Sequence, residues 1–300
     1  MSAFWSTAIL LLALVGAQQS AGSIVDFRAA DQVTKVSVLR DITSARVNMS
    51  IGQVIVLVRA ALQDPSADVR MSALGAVMGR ATAARWAGTS GPGMGPSPMP
   101  RPEPPIIPAE WKGDQQTLRD ALENDCLALL KSDPDDRVRY QALLTVGNLE
   151  LPPQRDDPLT ARIVGLFVDL YRHDPSARIR AEVVKTFRLM PNNTPEMRAV
   201  LRDALVDANA SIRHEGLTGI TSRRLSFDEA RDTIVTALKH ADPSIRLAAV
   251  QALNVFGASA APYIGTLERL SGNDPDAQVR ASARLAIEAI QRALRGRGKP

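Results

Sequence analysis

The chain has a single cysteine, Cys126, in 300 residues, so no internal disulfide can form. With Leu122, Leu129 and Leu130 around it in a helical pattern, Cys126 reads as a small core residue rather than a nucleophile. Aromatic residues are scarce, at 4% against an apolar total of 45%. The core must then be built from Ala, Leu, Val and Ile, which suits closely packed helices and argues against an all-β sandwich. An excess of charge of one sign is also missing, since 36 basic and 32 acidic residues leave a net +4. That balance mildly favours an anionic partner without requiring one, and no nucleic-acid partner is expected. Length alone leaves two globular domains or one elongated array open.

Charge is absent altogether from the first 25 residues, where Ala8 to Ala17 is an apolar run followed by Gln18, Gln19 and Ser20. Residues 1–17 therefore read as a signal peptide cleaved after Val15-Gly16-Ala17, placing the chain in the periplasm or outside the cell. The alternative is a short uncleaved anchor, but the run falls below the roughly 20 apolar residues that span a bilayer. No stable membrane span is expected once the signal is cleaved. No Cys follows the run to carry a lipid.

One short pattern returns six times: an Asp, usually Pro, a few polar residues, then Val or Ile and an Arg. The copies pair Asp64 with Arg70, Asp133 with Arg139, Asp174 with Arg180, Asp207 with Arg213, Asp242 with Arg246, and Asp274 with Arg280. The last four Arg are 33, 33 and 34 residues apart, while the gap from Arg70 to Arg139 is 69. Three residues after each Arg stand Ala73, Ala142, Val183, Gly216, Ala249 and Ala283, and seven after it Val77, Val146, Phe187, Ile220, Leu253 and Ile287. These columns share one side of an α-helix, the small one allowing a neighbour to approach closely. The segment before each Asp is also helical, so each unit is helix, tight turn, helix, with the Asp expected to cap the second helix. A pair of this size cannot bury both faces alone, so the pairs must stack.

On these residues the chain resembles the HEAT-repeat family, in the short form also found in phycobilisome lyases. The best stretch runs from Ala252-Leu253-Asn254-Val255-Phe256-Gly257 through Pro262, Leu267 and Leu270 to Asp274-Pro275 and Val279-Arg280. The resemblance implies an all-α fold, a right-handed α-solenoid or superhelix of about six helix pairs, over residues 50–294. Residues 18–49 would add an N-terminal segment and a capping helix, on which Val33, Val36, Leu39 and Ile42 recur every third residue. A Pro-rich loop over 88–112 interrupts the array: Gly88 to Pro108 holds eight Pro and four Gly, a composition that forms neither helix nor sheet. Trp86 and Trp111 flank it and could pin its ends. Residues 295–300 form a basic tail, and Arg284 occupies a column held elsewhere by Leu or Val, as a terminal unit tolerates.

The repeated Asp and Arg serve the repeat rather than a reaction, each Arg reaching the Asp of its own or the adjacent unit in a structural ladder. The Asp242 copy looks two residues shorter than the others, and the Asp207 copy lacks Pro. His214-Glu215-Gly216-Leu217-Thr218 begins like a zinc-protease motif, but Thr218 stands where the second His belongs. Gly257-Ala258-Ser259-Ala260-Ala261 lacks the closing Gly of a nucleophile elbow, and Gly91 to Gly95 lacks the Lys of a phosphate loop. No catalytic, cofactor or metal residues are assigned.

On the second helices, positions one, five and eight after the Arg lie opposite the buried columns. They define a candidate binding stripe: Met71, Tyr140, Leu144, Lys185, Arg188, His214, Thr218, Leu247, Gln251 and Asn254. Its mixture of Tyr, Met and Leu with polar groups suits a protein or peptide. The expected function is a non-catalytic protein- or peptide-binding scaffold outside the cytoplasm. The alternative is a binder of an acidic polymer or membrane surface through Lys185, Arg188, Arg223, Arg224 and the tail. Resemblance alone raises a third class, a repeat-fold enzyme such as a lyase.

Overall fold

The computed structural model describes residues 26–44, 49–84, 111–149, 158–190, 193–222 and 225–297. The expected signal peptide, the segment Gly88–Pro108, Trp86, Arg223, Arg224 and Lys299 lie outside the described residues. Every regular element among the described residues is helical. The chain divides into two compact units, Met1–Pro152 and Pro153–Pro300, and each is a stack of helix pairs in two layers.

The first unit comprises α1 (Gln32–Thr43), α2 (Ile51–Leu62), α3 (Ala67–Ala84), α4 (Asp114–Ser132) and α5 (Asp136–Leu149). Local signals start these helices: Asp31 accepts the Thr34 N–H at the head of α1, and Ser50 with Gln53 forms a capping box on α2. The second helix α3 packs between α1 and α5, and the first helices α2 and α4 pack together. Helix α1 thus belongs to the layer of second helices. Leu39, Leu74, Leu118, Leu122 and Leu143 are fully buried within the stack. Close approach in the second-helix layer depends on small residues, since a Cβ on Gly79 would stand 2.6 Å from the Thr43 carbonyl oxygen. Thr145, in a small column of α5, is buried by donating its hydroxyl to the Leu74 carbonyl of α3 at 3.1 Å.

The second unit holds four pairs: α6 (Pro158–His173) with α7 (Ala177–Leu189), α8 (Pro195–Ala204) with α9 (Ala210–Thr221), α10 (Phe227–Ala237) with α11 (Pro243–Phe256), and α12 (Ile264–Asn273) with α13 (Ala277–Arg297). A 3-10 helix, Gly257–Tyr263, joins the last two pairs. It begins at Gly257, whose φ of +54° suits a residue without a Cβ. Helices α7, α9, α11 and α13 pack successively in one layer, and α6, α8 and α10 in the other. Phe167, Phe187, Met197, Leu201, Leu253, Leu267 and Ile290 are buried in this core. Helix α13 runs to Arg297, past residue 294, the expected end of the array, and into the expected tail of 295–300.

The small column can be tested by two glycines with opposite expected signs. A Cβ on Gly216 would lie 2.9 Å from backbone atoms of Ala204 and Leu205, whereas one on Gly165, exposed in mid-α6, would meet nothing within 4 Å. Replacing Gly by Ala gains up to about 1 kcal/mol of helix propensity, and forced overpacking costs about 1–3 kcal/mol. In urea unfolding, Gly165→Ala is expected to stabilise the protein by several tenths of a kcal/mol and Gly216→Ala to destabilise it. A Gly216→Ala protein as stable as the parent would refute the close approach of α8 to α9.

Candidate functional site

The six repeated turns share one hydrogen-bond design. In five of them the side chain of the first Asp accepts the backbone N–H two residues on: Asp64 from Ser66, Asp133 from Asp135, Asp174 from Ser176, Asp207 from Asn209 and Asp274 from Asp276, at 2.8–3.0 Å. The helix opens at that second residue, as at the N-caps Ser176 and Asn209. In these five copies the expectation that the Asp of the pattern caps the helix is corrected by two residues, whereas Asp242 is the cap expected. Pro is dispensable, because the Asp207 turn keeps the same geometry without it.

Each Arg clamps its own turn from within. Nη1 donates to the carbonyl six residues back at 2.7–2.9 Å, and to the carbonyl five back at 2.8–3.5 Å. For Arg246 these carbonyls belong to His240 and Ala241. The copy is therefore full length, with His240 in the place of the Asp. His240 Nδ1 accepts the Asp242 N–H at 3.0 Å, and Asp242 is the N-cap, accepting from Ser244. The register read from Asp242 to Arg246 in the sequence matched the cap instead of the ladder position.

The opposite edge of the guanidinium reaches the next turn. Arg70 Nε and Nη2 bond both oxygens of Asp133 at 2.7 and 2.9 Å, and Arg246 bonds Asp274 in the same way at 2.8 Å. These forks are almost out of solvent, with the Asp133 and Asp274 side chains 2% exposed. Lys35, four residues after its helix cap Asp31, fills the same place on α1 and holds Asp64 at 2.9 Å. The Arg-based repeat pattern does not reveal this rung, because its cation is a lysine. Arg180 and Arg213 keep their backbone clamps but bond no carboxylate among the described residues, and the turn after Arg213 presents His240. Asp207 lies beside the Tyr171 phenol, which burial first and that carboxylate second push far above its ordinary range. Arg139 is buried and clamps Asp133 and Pro134.

Another buried cation stands outside the repeat pattern. Arg80, 2% exposed near the end of α3, donates to Asp114 at 2.8 Å and to the Met49 carbonyl at 3.1 Å. Its guanidinium lies 3.2 Å from the centroid of the Trp111 ring. Trp111 and Asp114 at the head of α4 are thereby tied to the end of α3. The only sequence signal was Trp111 itself, since neither Arg80 nor Asp114 belongs to the repeat.

None of the ten stripe residues is buried: His214, Gln251 and Asn254 are exposed and the other seven are half-buried. In the first unit Met71 lies on α3, and Tyr140 and Leu144 lie on the adjacent α5. In the second unit Lys185 and Arg188 on α7, His214 and Thr218 on α9, and Leu247, Gln251 and Asn254 on α11 occupy successive second helices. Lys185 borders a cleft of about 340 Å³ with Arg178, Glu182, Ser211 and Glu215. Its ammonium bonds Glu182 at 3.1 Å, and Arg188 pairs with Glu215 at 3.4 Å. Thr218 donates its hydroxyl to the His214 carbonyl at 2.9 Å.

Among the described residues no group of three or more His, Cys, Asp or Glu could hold a metal ion. His173 Nδ1 faces the Asp169 carbonyl of its own helix at 3.1 Å. Cys126 is buried, and burial pushes its thiol up to about 12, so it is protonated at neutral pH.

Residues 198–288 match the family described as HEAT repeats. Within that segment the chain carries HEAT repeats. Among solved structures, Kap121p superposes on this chain with a TM-score of 0.53 at 15% identity, over 94% of this chain and 29% of that one. Kap121p bound to Nup53p gives 0.52 at 15%, with the same coverage. The archaeal HEAT-like repeats protein from Thermococcus onnurineus NA1 gives 0.43 at 12%, over 88% of this chain and 100% of that one. The chain spans less than a third of Kap121p, and at 15% identity that likeness shows the fold alone. No curated protein matches the chain.

Two measurements test the ladder. The Arg246 hydrogen bonds, with the Asp276 N–H and Arg280 adding to them, hold the Asp274 carboxyl below its ordinary value of 3.8. A carboxyl depressed in the folded state stabilises the protein above its unfolded pKa, and that contribution is lost as the pH falls through the folded value. Stability is expected to drop below about pH 4, and less steeply in Asp274→Asn, whose stability at pH 7 is already reduced; equal acid slopes would refute it. In His240→Asp, the new carboxylate faces Arg213 in the position that Asp274 holds towards Arg246. The variant is expected to gain about 1 kcal/mol, and an unchanged or lower melting temperature would contradict the register.

Proposed function

We propose that the chain is a non-catalytic scaffold that binds a protein or peptide partner along the accessible face of its second helices, and that it acts outside the cytoplasm. The observation that carries this reading is the division of labour on those helices. The repeated Arg and Asp are spent on turns and rungs, while positions one, five and eight present unburied Met, Tyr, Leu, His and amide side chains. Large apolar and aromatic groups among polar neighbours supply contact area and orientation for a protein surface. Kap121p, which shares the fold, is seen bound to Nup53p.

An acidic polymer is disfavoured by the same face, because Lys185 and Arg188 are paired with Glu182 and Glu215. Each pair cancels the field that would draw a polyanion. The extracytoplasmic assignment rests on the charge-free apolar run from Ala8 to Ala17.

Affinity capture from the periplasmic or secreted fraction of the native host, read by mass spectrometry, tests both parts. The mature chain is expected to begin at or near Gln18 and to retain a specific protein. Tyr140→Ser with Leu144→Ser, and separately Lys185→Ser with Leu247→Ser, are expected to reduce capture at least severalfold with the far-UV circular dichroism unchanged. Undiminished capture by both folded variants would reject the stripe, and an intact Met1 in a soluble cytoplasmic pool would reject export. Capture that collapses steeply between low and moderate salt would favour the polyanion instead.

A further inference from the structure

The first-helix side of the second unit carries a cleft unrelated to the stripe. Helices α10 and α12 are each packed on their own second helix, α11 and α13. The 3-10 segment between α11 and α12 ends at Tyr263, whose ring meets Phe227 edge-on at 5.8 Å. What remains between α10 and α12 is an open cleft of about 460 Å³, within the range of small-molecule sites. Val235 and Leu238 line it from the α10 side, Tyr263 and Leu270 from the other, and Lys239 and Arg269 also border it.

The charge at this cleft is unbalanced. Lys239 is exposed and has no carboxylate partner among the described residues, and the one bond formed by the exposed Arg269 goes from Nη2 to the Thr266 hydroxyl at 3.2 Å. Asp274 also borders the cleft, but one of its oxygens accepts from Arg246 Nε, and the other from Arg246 Nη2 and the Asp276 N–H. The three acids on α10 are paired as well, Asp228 and Asp232 with Arg231 at 3.8 and 3.2 Å and Glu229 with Arg198 at 2.6 Å. Two cations thus flank an apolar cleft with no unspent carboxylate lining it. A neutral apolar ligand would leave them unused, and a small inorganic anion would leave the apolar walls wet. We propose that this cleft binds the anion of a fatty acid, its carboxylate between Lys239 and Arg269 and its chain along Val235, Leu238 and Leu270. Charge-assisted hydrogen bonds fix the head, and removal of the chain from water supplies the remainder.

Calorimetric titration of the full chain with dodecanoate, below the concentration at which it aggregates, tests the assignment, with dodecanol and acetate as controls. Dodecanoate is expected to bind with a stoichiometry of one, dodecanol at least about tenfold more weakly, and acetate not measurably. The double variant Lys239→Ala with Arg269→Ala alters two exposed side chains, so its melting temperature is expected to stay at the parent value while dodecanoate affinity falls about tenfold or more. Val235→Phe is expected to fill the cleft and abolish binding of both twelve-carbon ligands. The absence of saturable dodecanoate binding, equal affinity for dodecanol, or an affinity in the double variant within twofold of the parent would each overturn the proposal. Because the double variant touches only exposed groups, it decides the matter even if Val235→Phe fails to fold.

Discussion

The structure depends on what one guanidinium does with its two edges. Along one edge, Nη1 gathers two carbonyls at the end of the turn it follows, groups that a tight connection between two helices leaves without helical partners. Along the other, Nε and Nη2 form a planar fork that fits the carboxylate of the next turn. One side chain therefore closes a turn and links it to its neighbour. Lysine supplies only the second of these functions, as Lys35 does at Asp64. That difference explains why Arg occupies every position with a turn to close inside the repeat.

Where a carboxylate is replaced, the two functions separate. His240 still accepts the N–H of the helix cap through Nδ1, so its turn survives, but it offers Arg213 no anion. Arg246 closes the His240 turn through backbone carbonyls, which do not depend on the side chain at position 240. The array therefore tolerates a missing rung more readily than a missing clamp. Spacing between helices is set separately, within a layer by Gly79 and between layers by Gly216, whose missing Cβ lets backbones meet.

The second-helix faces of the two units differ in chemistry. In the first, Met71, Tyr140 and Leu144 are half-buried apolar or aromatic groups; in the second, paired charges, His214 and amides accompany Leu247. A scaffold whose turns are held by backbone-directed Arg leaves these positions, none of them fully buried, room to vary. Family resemblance accordingly extends to the architecture and says little about the ligand.

Much of the architecture was legible in the sequence. Small residues three after each Arg and large apolar ones seven after it impose a helical face, and an Asp, a turn and an Arg recur because each unit solves the same local problem. The sequence by itself determined that the chain is helical, that its pairs stack, and which positions of the second helices stay out of the core. Only the tertiary structure decided the partners. Side chains contribute to a motif at fixed spacing, but hydrogen bonds follow distance in space. The clamp therefore went to backbone carbonyls that carry no residue identity, His240 rather than Asp242 held the ladder position, and Lys35 stood in for Arg. Arg80, Asp114 and Trp111, which no periodicity relates, met because α3 and α4 were packed together. The cleft between α10 and α12 was invisible for the same reason, being a gap between elements rather than a property of any one of them.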